Sequence, residues 1–185
     1  YYACVSYIDK LIGDLVNELR RLKLDKSTAI VIWGDHGWHL GDHGLWCKHT
    51  NFEQATRSPL MFISPEINGG KKSTSPVEFI DIFPTLCDLT SQDIPSNLHG
   101  LSLKPIMNNP KISLKSSALS QWPSGNGMGY ALRNERYRYI EWMKSDTRSP
   151  YDKSNVNSKQ IYDNKKDPLE TVNIANESKY EIIAN

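Results

Sequence analysis

The run Thr28-Ala29-Ile30-Val31-Ile32-Trp33, followed at once by Gly34-Asp35-His36-Gly37, constrains the fold more than any other stretch of this chain. Six residues, nearly all apolar and rich in β-branched side chains, read as a strand covered on both faces, as in a parallel sheet. A glycine, an acid and an imidazole directly at the carboxyl end of such a strand is how an α/β enzyme presents ligands. The loop that opens there runs to His49. It holds His36, His39, His43 and His49, four of the five histidines in the chain, together with Asp35, Asp42 and Lys48.

The flanking stretches fit an α/β chain. Val5, Ile8, Ile12, Leu15, Val16 and Leu19 recur at spacings of three and four and predict an amphipathic helix over residues 3–22. Helix, short loop and buried strand make half of a βαβ unit. Residues 51–56 read as a helical turn, and 58–63 as a second buried strand with Pro59 at its mouth. Asp81 before an apolar-periodic run, with Pro84 in its first turn, predicts a helix over 81–89 capped by Asp81. Residues 90–113 read as loop. Three strands are expected at 116–122, 129–134 and 137–143, the last two joined by a turn at Asn134-Glu135-Arg136. A polar coil at 144–158, a final strand at 160–163 and a short helix near 176–184 complete the chain. The composition shift places a boundary near residue 113, with an α/β core part at 1–113 and an antiparallel-sheet subdomain at 114–185.

Composition narrows the function. Lys plus Arg number 22 against 21 for Asp plus Glu, and no basic run occurs, so no nucleic-acid partner is expected. No apolar run approaches the roughly 18 residues of a membrane span. The three cysteines form no Cys-x-x-Cys pair and no disulfide framework. Tyr1-Tyr2-Ala3-Cys4 carries no initiator Met and no signal-like segment, and reads as a piece of a longer protein that begins mid-domain.

Three chemistries compete for the loop. His36, His39 and His43 would converge on a transition metal if the segment were helical. Gly37, Gly41 and Gly44 oppose that, since each costs about 1 kcal/mol relative to Ala in a helix. The same side chains could simply satisfy backbone groups in turns. An acid beside an imidazole at the end of a buried strand, with a lysine downstream, calls instead for a partner charge or a metal. In the third reading Asp35 gives hard oxygens to a divalent cation such as Ca²⁺. His36 is a further ligand or a donor to a substrate oxyanion, and Lys48 sets a positive charge against sulfate or phosphate. Metal and lysine together would neutralise charge building on a transferring group. Elsewhere Arg133, Arg136 and Arg138 could bind an anionic polysaccharide but read first as a solvated face. Trp122, Tyr130, Tyr137, Tyr139 and Trp142 could stack on sugars but read first as the packed face of a sheet. Asn176-Glu177-Ser178 is a lone glycosylation sequon.

Gly34-Asp35-His36-Gly37-Trp38-x-Leu40-Gly41-Asp42-His43-Gly44-x-Trp46-x-Lys48 resembles the second signature loop of the type I sulfatases, and most of all that of the iduronate-2-sulfatases. The resemblance continues through Tyr1-Tyr2-Ala3-x-Val5-Ser6-Tyr7-x-Asp9, Asn51-Phe52, Pro59-Leu60, Phe83-Pro84-Thr85-Leu86, Met128-Gly129-Tyr130 with Arg133, and Asp167-Pro168-x-Glu170-x-x-Asn173. It implies the C-terminal part of an alkaline-phosphatase-like α/β/α sandwich with a small antiparallel C-terminal sheet. It implies Ca²⁺ and a formylglycine made from a Cys or Ser in a Cys-x-Pro/Ala-x-Arg motif. By position Asp35 and His36 match calcium ligands, Lys48 matches the sulfate-contacting lysine with a catalytic role beside His36, and Trp38 and His49 fall where substrate contacts occur. His49 stands where a tyrosine is expected, and His39 where a small residue is usual. No cysteine or serine of this sequence lies in the nucleophile motif. The implied partners are a sulfated carbohydrate and the N-terminal part of the same enzyme, and the chain alone is expected to be inactive. The implied compartment is periplasmic, secreted or lysosomal. A phosphate or phosphonate monoester hydrolase of the same superfamily, or a non-catalytic glycan-binding piece, are the rival readings.

Overall fold

The computed structural model describes residues 1–125, 127–144 and 151–183. Helix α1 spans Tyr2–Arg21, as its apolar periodicity predicts. It buries no residue, and Val5, Ile8 and Leu15 on the expected core stripe are 51%, 52% and 68% exposed. The periodicity thus forms the helix without a neighbour to cover its stripe.

Strand β1 (Ile30–Trp33) pairs with β4 (Leu60–Ile63) in a two-stranded sheet with Ile30 opposite Ile63 and Trp33 opposite Leu60. The pairing is antiparallel, which corrects the parallel arrangement expected from the apolar run. A parallel partner needs a crossover element. Here the intervening chain folds back on itself and returns beside β1. Neither strand is covered on both faces, because Trp33, Met61 and Ile63 are exposed. Between them lie a two-residue hairpin, β2 (His39–Leu40) and β3 (Trp46–Cys47), and the one-turn helix α2 (Glu53–Thr56).

Helix α3 spans Ile82–Leu89, and Asp81 precedes it as expected. The Asp81 side chain does not cap α3. Fully buried, it accepts from Glu78 N at 2.8 Å and Leu101 N at 2.9 Å and meets Lys115 Nζ at 2.7 Å. It thereby closes a reciprocal capping box on the tight 3-10 turn at Phe79–Asp81. The segment expected as loop at 90–113 contains a further short helix, α4 (Lys104–Asn108), whose Pro105 sits in the first turn, where a missing N–H does no harm.

The C-terminal portion is a four-stranded antiparallel meander of β5 (Ala118–Ser124), β6 (Gly127–Arg133), β7 (Tyr137–Met143) and β8 (Val156–Asp163). The Asn134 turn forms as expected, with Asn134 Oδ1 accepting from Arg136 N and Tyr137 N. Strand β8 starts at Val156, inside the stretch expected as coil at 144–158. Of that stretch residues 145–150 lie outside the described residues. Its opening residues are polar because β8 is an edge strand, where Asn, Ser and Lys protect the unpaired side. Near the C-terminus a 3-10 helix covers Ser178–Ile183, where a helix to 184 was expected; residue 184 lies outside the described residues.

Register puts Ala118, Ser120 and Trp122 on one sheet face with Gly129, Ala131 and Arg133, Arg138, Ile140 and Trp142, and Ser158, Gln160 and Tyr162. Ala131, Ile140 and Tyr162 form a buried cluster there, joined by Phe52 and Trp142. Burial pushes the Tyr162 phenol up to about 12, so it stays neutral. The opposite face buries Met128, Met143 and Ile161. Residues 173–174 lie along β8, Ile161 donating to Asn173 Oδ1 and Ile174 N donating to Ile161 O, both at 3.0 Å.

Candidate functional site: the 34–49 loop and its anchors

Two backbone clasps fix the loop where it leaves β1. Gly34 N donates to Pro59 O at 3.0 Å and Gly37 N to Ala55 O at 2.8 Å. Ser58 Oγ adds a bond to Gly34 O at 2.7 Å. The second clasp demands glycine: a Cβ on Gly37 would lie 2.0 Å from Gln54 O. Asp35 and His36 therefore stand between two pinned points.

Asp35 projects outward with its side chain 81% exposed, and its Oδ2 lies 3.4 Å from His36 Nε2. His36 Nδ1 is 2.7 Å from Gly37 O. A carbonyl only accepts, so Nδ1 carries a proton and Nε2 is left to face the carboxylate. Two acceptors at that separation call for a positive species between them, either a proton or a metal cation. The pair supplies one carboxylate and one imidazole, and Ca²⁺ takes six to eight ligands. Asp35 and His36 fit as part of such a site, with the remaining ligands supplied from elsewhere. The Trp38 ring stacks on His36 at 5.8 Å and meets Tyr1, the residue just before α1, at 6.1 Å.

The other loop histidines go elsewhere. His39 is fully buried; its Nδ1 bonds to Asp42 Oδ2 and its Nε2 lies 2.7 Å from Thr50 Oγ1. Phe52 N donates to the same hydroxyl at 3.3 Å. Burial opposes charge on Asp42, but the His39 bond and the Leu40 N–H outweigh it and hold its carboxyl below the usual range. His43, with a left-handed φ of 55°, stacks on Phe52 with ring centroids 4.0 Å apart. His36 thus stands apart from His39 and His43, which meet each other and Phe52 by their ring faces and edges, and no group of three or more His, Cys, Asp or Glu that could hold a metal occurs among the described residues.

Beyond the hairpin the chain crosses the face of the C-terminal sheet. His49 stacks on Trp122 of β5, centroids 4.7 Å apart and rings 8° from parallel. Asn51 Nδ2 donates to Gly129 O on β6 at 3.0 Å, and a Cβ on Gly129 would lie 2.6 Å from that nitrogen. Phe52 reaches the core cluster, edge-on to Tyr162. Glu53 takes Arg133 Nε at 2.9 Å and Arg138 Nη2 at 2.5 Å. Arg138, 1% exposed, also binds Glu170 Oε1 at 2.6 Å, and Glu170 Oε2 accepts from Glu53 N at 2.8 Å. Arg136 forms a two-pronged pair with Asp163, at 3.0 and 2.7 Å. The three arginines expected as a solvated face are instead committed to carboxylates, two of them in the contact that seats α2 on the sheet.

Lys48 sits between the buried His39 clamp and the His49–Trp122 stack, its carbonyl accepting from Thr50 N at 2.9 Å. Four lysines among the described residues are half-buried: Lys48, Lys104, Lys115 and Lys159. Lys104 meets Asp88 and Glu66, Lys115 meets Asp81 and Glu78, and Lys159 meets Glu141. Lys48 alone of these has no carboxylate partner among the described residues.

A family model described as Sulfatase matches residues 1–92. The chain belongs to the sulfatase family. It is 33% identical over 180 residues to a sulfatase of Formosa agariphila, a match covering 97% of this chain and 32% of that protein. It is 28% identical to the iduronate 2-sulfatase of Mus musculus over 97% of this chain and 44% of that protein. A solved structure bound to its substrate D-glucosamine-2-N,6-O-disulfate superposes with a TM-score of 0.85 and 28% identity, covering all of this chain and 37% of that one. The chain thus spans between 32% and 44% of the length of these relatives.

Of the residues singled out from the sulfatase-like loop, Asp35, His36 and Trp38 form one contact group and His49 stacks on Trp122, while the Lys48 side chain joins neither. Trp122 was legible only as one aromatic of a sheet, because its neighbour His49 lies far away in sequence. Glu53 carried no signal of its own and Glu170 only its place in the sulfatase-like Asp167-Pro168-x-Glu170 run; an acid seated on a buried arginine is visible only once β7 and α2 are brought together.

Proposed function

We propose that this chain is the C-terminal part of a sulfuric-ester hydrolase that removes sulfate from a sulfated sugar, with a uronate 2-sulfate of a glycosaminoglycan as its first substrate. The observation that carries the reading is Lys48: a half-buried lysine with no carboxylate partner among the described residues, on an anchored loop, is left to take an external anion. The names of the iduronate 2-sulfatase relative and of the disulfate-bound neighbour support the substrate class.

In this reading Lys48 holds a sulfate oxygen and offsets the negative charge that grows on the sulfuryl group and its leaving oxygen. Asp35 and His36 Nε2 would hold Ca²⁺, the Nδ1–H bond to Gly37 O fixing the tautomer that leaves Nε2 free to coordinate. A bound Ca²⁺ supplies Lewis-acid polarisation of the sulfate oxygens. Trp38 and His49 border the sugar. The nucleophile and the remaining calcium ligands belong to the N-terminal part of the enzyme, and residues 1–113 and 114–185 are its core part and its sheet subdomain. The compartment proposed is periplasmic, secreted or lysosomal.

The test is calcium dependence in the complete enzyme. Removing Ca²⁺ with a chelator should abolish turnover of a sulfated disaccharide, and Asp35→Ala should do the same without altering thermal stability, since Asp35 is exposed and props up no buried group. Turnover that survives both treatments would sink the assignment of this loop to the metal and sulfate site.

A further inference from the structure

We infer that Trp122 is a specificity-determining residue of the proposed site, a platform for the pyranose ring of the sulfated sugar; the inference rests on the reading of Lys48 as the sulfate-binding residue. Trp122 lies on β5, an edge strand of the four-stranded sheet, opposite Gly129. Its indole is half-buried and stacks nearly parallel on His49, the residue directly after Lys48. The result is a two-ring ledge whose His49 directly follows Lys48 in the chain.

The polar ends of this ledge are unused. Among the described residues neither Trp122 Nε1–H nor either ring nitrogen of His49 has a hydrogen-bond partner. Trp142, on the same sheet face, shows the alternative: it packs on the core and its Nε1–H donates to Gln160 Oε1 at 3.2 Å. Tryptophan that serves packing alone commonly satisfies its N–H in this way. A flat aromatic surface and spare N–H donors match a ligand with an apolar ring face and hydroxyls, and Lys48, next to His49 in the chain, adds a cation for an anionic substituent. A sulfated pyranose has all three.

The ledge is also held in place. On one side Thr50 is tied to buried His39 and to the Lys48 carbonyl. Next in the chain, Asn51 is bonded to Gly129 O, across from Trp122 in the sheet. His49 is thus fixed against Trp122 at little further loss of side-chain freedom on binding.

The experiment compares a ligand that has a ring with one that has none, using the complete sulfatase. A heparin-derived disaccharide bearing a 2-sulfated uronate is the substrate, and inorganic sulfate is the competitive inhibitor. Trp122→Ala should raise KM for the disaccharide about ten-fold or more, while the inhibition constant of sulfate moves by less than about two-fold. Trp122→Phe, which keeps a stacking face, should recover most of the loss. Equal changes in both constants would mean that Trp122 only props the loop, and no change in either would mean that it touches no sugar; both overturn the inference while leaving the sulfatase reading intact. An unmutated enzyme that neither cleaves the disaccharide nor binds sulfate overturns the underlying reading and this one with it. Should Trp122→Ala fail to fold, the indole N–H resonance of Trp122 in the unmutated protein decides. It should shift on saturation with the disaccharide and stay in place with sulfate, and an unmoved resonance with both overturns the inference.

Discussion

An ionised side chain taken out of water is stabilised only by an opposite charge or by hydrogen bonds that replace the solvent. Arg138 follows that rule: Glu53, Glu170 and Thr56 close around it. Arg138→Met would leave buried Glu170 without its cation and Glu53 with Arg133 alone. The expected loss is about 3–5 kcal/mol, read as a fall in the urea midpoint, and Arg138→Lys should recover little because lysine lacks the fork that meets both acids. Lys48 is only half-buried and has no carboxylate partner among the described residues, and in the proposed site it meets an external anion. Its candidacy was legible in the sequence from the glycine-spaced loop around it. Its lack of a partner was not, since that depends on which carboxylates fold beside it. Arg138 shows the converse. As a strand arginine near a turn it read as solvated, and Glu170, 32 residues further on, gave no hint that it would meet it.

Among the elements, α2 is the hinge between loop and sheet. It is one turn long, too short to persist by propensity, and it depends on the ion network beneath it. Burial acts to raise the Glu53 carboxyl, but the Arg133 and Arg138 guanidiniums outweigh it and hold the group below the usual glutamate range. A carboxylate with a lowered folded-state pKa contributes stability that is present above its unfolded value, about 4.3, and is lost as pH falls through the folded value. Thermal melts should therefore show Tm holding down to about pH 5 and dropping below about pH 4, with a shallower drop in Glu53→Gln. Most elements were legible: the periodicity of α1, the Pro84 entry to α3 and the Asn134 turn each formed where their local signals lie. The pairing of β1 was not. An apolar strand reads alike in a parallel or antiparallel setting, and only the chain reversal through α2 decided it. The same limit hid α4, whose Pro105 reads as a breaker from sequence but occupies a first-turn position.

At the scale of the whole molecule, the chain is well buried where the 49–56 segment lies on the C-terminal sheet and where α3 meets α4 (Asp81, Thr85, Leu103 and Ile106), and it is open elsewhere. The stripe of α1, the outer faces of β1 and β4, and Ile80 and Phe83 all present large apolar side chains to solvent. Large apolar side chains left exposed in such number mark an interaction site. In the proposed sulfatase it is where the N-terminal part of the enzyme packs, bringing the nucleophile and the missing calcium ligands to Asp35, His36 and Lys48. The half-site and its distant completion are therefore one claim, and Lys48 is the residue through which it is most directly tested. The measurement is kcat/KM of the complete enzyme on a sulfated disaccharide with Lys48→Ala. The proposal expects a fall of about 10²–10³ with the thermal midpoint unchanged, because no carboxylate loses a partner. An unaltered kcat/KM would contradict it.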